Sequence, residues 1–197
     1  MGRRLDLVER VRRMGSALVA ACLLAPIAGA ATAEGGPNGA GPLVANGGFE
    51  AGPDVGWGHG QYSKDRPWWW NSRDCLSVAE VFGDEHHGGK QALHIVNLSP
   101  REPHVYGTTQ QPVRVKPGKR YRVALWAKAP LIASRGAVSI VVDSAWRIRP
   151  ILLPAGSFDW KRFTGEFTLN EDTAQLRILC DDMAEVWIDD VEVTPLD

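Results

Sequence analysis

The chain carries eight tryptophans against three tyrosines and five phenylalanines. Trp68, Trp69 and Trp70 are consecutive, preceded by Pro67 and followed by Asn71, while Trp126 and Trp146 stand alone downstream. An indole is a large flat π surface with one N–H donor, suited to the apolar C–H face of a ring such as a pyranose. Arg, Asp, Asn, Gln and His hydrogen-bond the hydroxyl belt of such a ring, so Arg122 and Gln110 are the polar candidates beside the indoles. The competing use of an indole is core packing, because Trp is highly buried on average. Alternation along a strand cannot bury three consecutive indoles on one side, so at least one of Trp68, Trp69 and Trp70 is expected in an exposed position or a loop pocket.

Other groups that could do chemistry are less organised. Asp84, Glu85, His86 and His87 are consecutive, and neighbours on one loop do not define a metal site. There is no His-x-His pair, no His-Glu-x-x-His and no Gly-x-Ser-x-Gly. A glycosidase needs two carboxylates facing each other across a cleft, and Asp143 and Glu166 have no partner at such a spacing. These absences argue against an enzyme. The 197 residues hold 22 basic and 23 acidic side chains, a net charge of -1, which disfavours nucleic-acid binding.

The elements that must position these residues are strands. From residue 42 onward no helical periodicity persists, whereas period-two alternation recurs every ten to fifteen residues. The predicted strands are Leu76–Phe82, Gln91–Asn97, Val105–Val115, Arg120–Lys128, Ala137–Asp143, Trp160–Leu169, Thr173–Cys180 and Glu185–Val193. Pro117-Gly118-Lys119 marks a turn, and Asp181–Ala184 is expected to close a C-terminal hairpin. About eight short strands without helices argue for an all-β jelly-roll β-sandwich of antiparallel strands. Alternation sends Tyr121, Val123, Leu125 and Ala127 to the core, with Arg122, Trp126 and Lys128 opposite. It likewise separates Val138, Ile140 and Val142 from Ser139 and Asp143, and Leu93 and Ile95 from His94.

The N-terminus has the pattern of a secretory signal peptide over residues 1–33. Arg3, Arg4, Arg10, Arg12 and Arg13 precede an apolar stretch from Met14 to Ala30, and Ala31-Thr32-Ala33 offers a small-x-small cleavage site. Residues 34–41 are a Gly-, Pro- and Asn-rich leader, and residues 42–197 the single domain. Cleavage would leave 17 basic and 21 acidic groups, and it would place the domain outside the cytoplasm, secreted or periplasmic. There Cys75 and Cys180 could be bridged.

Several segments resemble, in order, a CenC-type carbohydrate-binding module of families 4, 9, 16 and 22. They are Leu43-Val44-Ala45-Asn46-Gly47-Gly48-Phe49-Glu50 with a lone Trp57, His87-Gly88-Gly89-Lys90-Gln91-Ala92-Leu93-His94-Ile95, and Val115-Lys116-Pro117-Gly118-Lys119-Arg120-Tyr121 leading into Leu125-Trp126-Ala127-Lys128. Trp160-Lys161-Arg162-Phe163-Thr164 and Trp187-Ile188-Asp189-Asp190-Val191-Glu192-Val193 complete the set. The resemblance implies a galactose-binding-domain-like jelly roll and a polysaccharide or oligosaccharide partner. It makes Trp68, Trp69, Trp70, Trp126 and Trp146, with Arg122 and Gln110, the ligand-binding candidates, and it assigns Trp160 and Trp187 to packing. It also implies a structural calcium ion held by Glu50, by Asp189 or Asp190, and by the backbone oxygens of Gly48 and Lys90, with Asp84 or Glu85 standing in for a further oxygen ligand. The expected function is non-catalytic sugar binding, with a separate secreted enzyme or surface partner open to it. A structural or protein-interaction domain on the same fold is the alternative, and a glycan hydrolase or lyase ranks third.

Overall fold

The computed structural model describes residues 42–52, 55–57, 77–82, 84–98, 101 and 107–196. Residues 1–41, expected to be a signal peptide and leader, lie outside the described residues, as do Trp68, Trp69, Trp70 and Cys75. Nine strands are present among those described: β1 (Ser77–Phe82), β2 (Ala92–Asn97), β3 (Gly107–Arg114), β4 (Arg120–Ile132), β5 (Val138–Val141), β6 (Ile151–Leu152), β7 (Gly156–Thr168), β8 (Thr173–Cys180) and β9 (Ala184–Pro195). They form two antiparallel sheets, ordered β1-β2-β9-β4-β7 and β3-β8-β5-β6. The all-β sandwich expected from the alternation is the observed architecture.

Each sheet turns one phase of its strands inward. Leu93 and Ile95 from β2, Tyr121, Val123 and Leu125 from β4, and Val186 and Ile188 from β9 meet Val138 and Ile140 from β5 and Leu176 and Ile178 from β8 in one core. Pro112 interrupts β3 without harm, because β3 is an edge strand that pairs only with β8. Pro117 and Gly118 make the turn into β4. Lys119 N donates to Lys116 O at 3.1 Å, and Gly118 takes the positive φ of 76° that the third position of a type II turn requires.

Two expectations are corrected. Residues 181–183 do not close a hairpin, because β8 pairs with β3 and β5 whereas β9 pairs with β2 and β4. The chain crosses between the sheets there. Ala133 N donates to Met183 O and Asp181 N to Ala137 O, each at 2.9 Å, and Asn97 Nδ2 donates to Asp182 O at 2.9 Å. The Asp182 carboxylate accepts from Ser134 Oγ at 2.6 Å, Met183 N at 2.8 Å and Arg101 N at 3.2 Å. Burial pushes Asp182 up, but these bonds outweigh it and hold the carboxyl below its ordinary range. The second correction is β6, a two-residue strand bracketed by Pro150 and Pro154 and too short to show any period.

β6 comes close to β7 at one point. A Cβ on Gly165 would overlap the carbonyl of Pro150, so the strand must be bare there to let the segment ahead of β6 lie against it. Gly165→Ala is expected to cost about 1–3 kcal/mol through this overlap, measured as a fall in thermal midpoint.

Candidate functional site

The outer face of the four-stranded sheet gathers polar and aromatic groups around one buried cation. Gln110 on β3 stands opposite Arg177 on β8, and Arg177 stands opposite Val141 on β5. Strand alternation puts all three on the side away from Leu176 and Ile178. Arg177 is only 7% exposed. Its Nε donates to Gln110 Oε1 at 3.1 Å, and Nη1 donates to the backbone oxygen of Asp143 at 2.8 Å. The guanidinium carbon lies 4.3 Å from the centroid of the Trp146 ring, a cation–π distance.

Trp146 comes from the loop between β5 and β6. Asp143, 5% exposed, organises that loop: its Oδ1 accepts from Arg147 N at 2.8 Å and Ile148 N at 2.7 Å. Val142 N closes it onto Ile148 O at 3.1 Å. At the far end of the face, Asp181 follows β8 in the same phase as Arg177. It is bonded by Arg101 Nη2 at 2.9 Å and faces Arg149 Nη1 at 3.6 Å. Arg149 lies in the Trp146 loop, so the two ends of the face are joined by an ion pair. The arrangement suits a neutral, hydroxyl-rich ligand: an indole for an apolar ring face, and the Gln110 amide for hydroxyls.

The residues proposed from the sequence therefore divide. Gln110 and Trp146 come together here. Trp126 and Arg122 lie on β4 in the other sheet, on its outer face, and cannot line the same surface. Arg122 bonds Glu166 at 3.1 Å, and the Trp126 ring is covered by His87, with centroids 3.7 Å apart and planes 14° apart. His87 also lies 5.8 Å from Trp160, and Lys128 donates to both oxygens of Glu85 at 3.0 Å. Trp126 thus clamps residues 84–91 to the five-stranded sheet. Trp187 is buried and stacked on His94 at 4.2 Å. Arg177 was missed, although a lone Arg between Leu176 and Ile178 in an apolar strand was a visible signal. Alternation alone puts Asp143 on this outer face, without showing what its carboxylate holds.

Residues 84–91 are also where the expected metal ligands meet. Glu50 Oε1 accepts from Lys90 N at 2.8 Å and Gln91 N at 2.9 Å, and the Lys90 N–H is the main reason the Glu50 carboxyl lies below its usual range. Asp189 is 0% exposed. Its Oδ2 accepts from His87 N at 2.9 Å and Gly88 N at 3.0 Å, and its Oδ1 from Asp190 N at 2.7 Å. A Cβ on Gly48 would lie 3.6 Å from Asp189 Oδ1 and 3.8 Å from Glu50 Cγ, so Gly48, Lys90, Glu50 and Asp189 share one small volume. Burial holds the Asp189 carboxyl above its ordinary range despite those three N–H donors. Among the described residues no three His, Cys, Asp or Glu side chains are grouped to hold a metal ion.

Comparison with solved structures follows this geometry. The chain superimposes on "Family 16 Carbohydrate Binding Module-2" with a TM-score of 0.52 at 19% identity, covering 77% of this chain and 99% of that one. It matches the "CBM22-1 xylan-binding domain from Paenibacillus barcinonensis Xyn10C" with a TM-score of 0.51 at 14% identity, covering 80% and 96%. The fold is that of a carbohydrate-binding module. The same fold also occurs within a larger chain, the "Bacteriophage CBA120 tailspike protein 4 enzymatically active domain", with a TM-score of 0.51 at 13% identity over 79% of this chain and 21% of that one. No family model matches the sequence, and no curated protein matches it.

Within this module fold, Trp126→Ala is expected to release residues 84–91 and to lower stability by about 1–2 kcal/mol through lost stacking and burial. Faster hydrogen exchange at the His87 and Gly88 amides would accompany it, with the Arg177 face unchanged. Unchanged exchange would mean that Trp126 is no clamp.

Proposed function

We propose that this domain is a secreted, non-catalytic module that binds polysaccharide or oligosaccharide on the outer face of the β3-β8-β5-β6 sheet. The observation that carries the proposal is the stack of Trp146 on the buried Arg177, with Gln110 bonded alongside, in a carbohydrate-binding-module fold. Trp146 receives the C–H face of a sugar ring. Gln110, whose oxygen is committed to Arg177, keeps its amide N–H groups for a ring hydroxyl. Preorganisation by the Arg177 bonds lowers the ordering cost of binding. Export rests on the signal-like pattern of residues 1–33, and N-terminal sequencing of secreted protein tests it.

Affinity electrophoresis in soluble β-glucan, xylan, mannan and galactan tests the binding. Retardation by at least one is expected, with Trp146→Ala weakening it about tenfold, the worth of a good aromatic contact. Gln110→Ala should weaken it less, and both variants should stay folded. No retardation in any of the four gels would sink the proposal.

A structural calcium ion also fits the residues present. A hard cation takes carboxylate and carbonyl oxygens, which Glu50 and Asp189 and the backbone of Gly48 and Lys90 can supply. Such an ion would supply charge neutralisation, tying the segment before β1 to residues 84–91 and to β9 without touching the sugar face. The expected result is a thermal midpoint several degrees lower in chelator than in calcium, restored on re-addition. An unchanged midpoint removes the metal.

A further inference from the structure

Trp146 has a left-handed backbone, with φ at +62°. A bulky side chain avoids that region, and such an outlier persists only where its surroundings over-determine it. Asp143 supplies several of the bonds that hold it there. The Asp143 carboxylate accepts from the backbone N–H of Arg147 and of Ile148, the two residues that follow Trp146. The Asp143 carbonyl accepts from Trp146 N at 3.3 Å, closing the turn, and from Arg177 Nη1 at 2.8 Å. The backbone that carries the indole and the guanidinium beneath it are therefore fixed from the same point.

We infer that Asp143 is the positioning residue of the Trp146–Arg177 platform: its carboxylate sets the backbone of Trp146 and its carbonyl orients Arg177. The role of this platform in sugar binding rests on the function proposed above. Without the carboxylate the turn loses the two bonds that fix the backbone after Trp146, and the loop relaxes to conformations in which the indole leaves Arg177. Only the fraction with the indole in place binds, and apparent affinity falls in proportion to that fraction. Asparagine at this position keeps an oxygen where Oδ1 stands and can hold both amides, so geometry rather than charge is what the site uses.

The experiment uses the full chain labelled with 15N and follows the Arg177 Nε–H resonance, which the indole ring current displaces and which Trp146→Ala identifies. Asp143→Ala is expected to move that resonance toward its position in Trp146→Ala and to raise the Kd for the retarding glycan about tenfold. Asp143→Asn should leave the resonance in place and the Kd within about twofold of wild type. Where Asp143→Ala does not fold, Asp143→Ser takes its place, its shorter side chain being unable to bridge both amides. An undisplaced resonance in the folded Ala or Ser variant overturns the inference, as does a tenfold loss in folded Asp143→Asn. Retention of the wild type by none of the four glycans overturns the proposed function, and the resonance then decides the positioning role by itself.

Discussion

The sandwich depends on the crossing at residues 181–183. β8 and β9 are adjacent in sequence, yet β8 lies between β3 and β5 while β9 lies between β2 and β4. Three residues must carry the chain from the interior of one sheet to the interior of the other, where their polar backbone would otherwise go unpaired at a cost. The buried carboxylate of Asp182 and the backbone bonds to Ala133, Ala137 and Asn97 meet that demand. The bonds to Asp182 outweigh its desolvation, so the charge stabilises the crossing rather than opposing it.

From that crossing follows the separation of the two outer faces. Arg177 and Asp181 face outward from β8, whereas Trp187 and Asp189 face outward from β9, on the opposite side of the molecule. One face carries the indole–guanidinium stack, with Gln110 beside it. The other carries the clamp on residues 84–91, in which Trp126, Lys128, Asp189 and Glu50 each hold a different part of one loop. Aromatic residues serve both faces, but in unlike ways. Trp126 is covered by His87, and Trp146 lies over an arginine at the sheet surface.

The two sites use their carboxylates alike. Glu50 and Asp189 take backbone N–H groups from residues 87–91, and Asp143 takes them from residues 147–148. In each case an acidic side chain distant from a regular hydrogen-bond ladder replaces that ladder for a loop. A side-chain oxygen that accepts two backbone N–H groups lets a short irregular segment hold a conformation as uncommon as that of Trp146.

Local pattern was enough for the strands and for their faces. Tyr121, Val123 and Leu125 point into the core because side chains alternate with period two, and Pro117-Gly118 turns because proline presets its own φ and glycine tolerates a positive one. The resemblance named Glu50 and the Lys90 backbone oxygen as calcium ligands; the contact between them in the fold is the Lys90 N–H donating to Glu50. The failures are all of one physical kind. Alternation assigns a side chain to a face but does not say which sheet the face belongs to, so Trp126 and Trp146 looked like members of one platform. The hairpin expected at residues 181–184 failed for the same reason, since a short polar link serves a hairpin and a sheet crossing equally. The sequence by itself determined an all-β sandwich rich in exposed-phase indoles; only the tertiary structure decided which of them share a surface, because sheet membership is set by pairings between strands far apart in the chain.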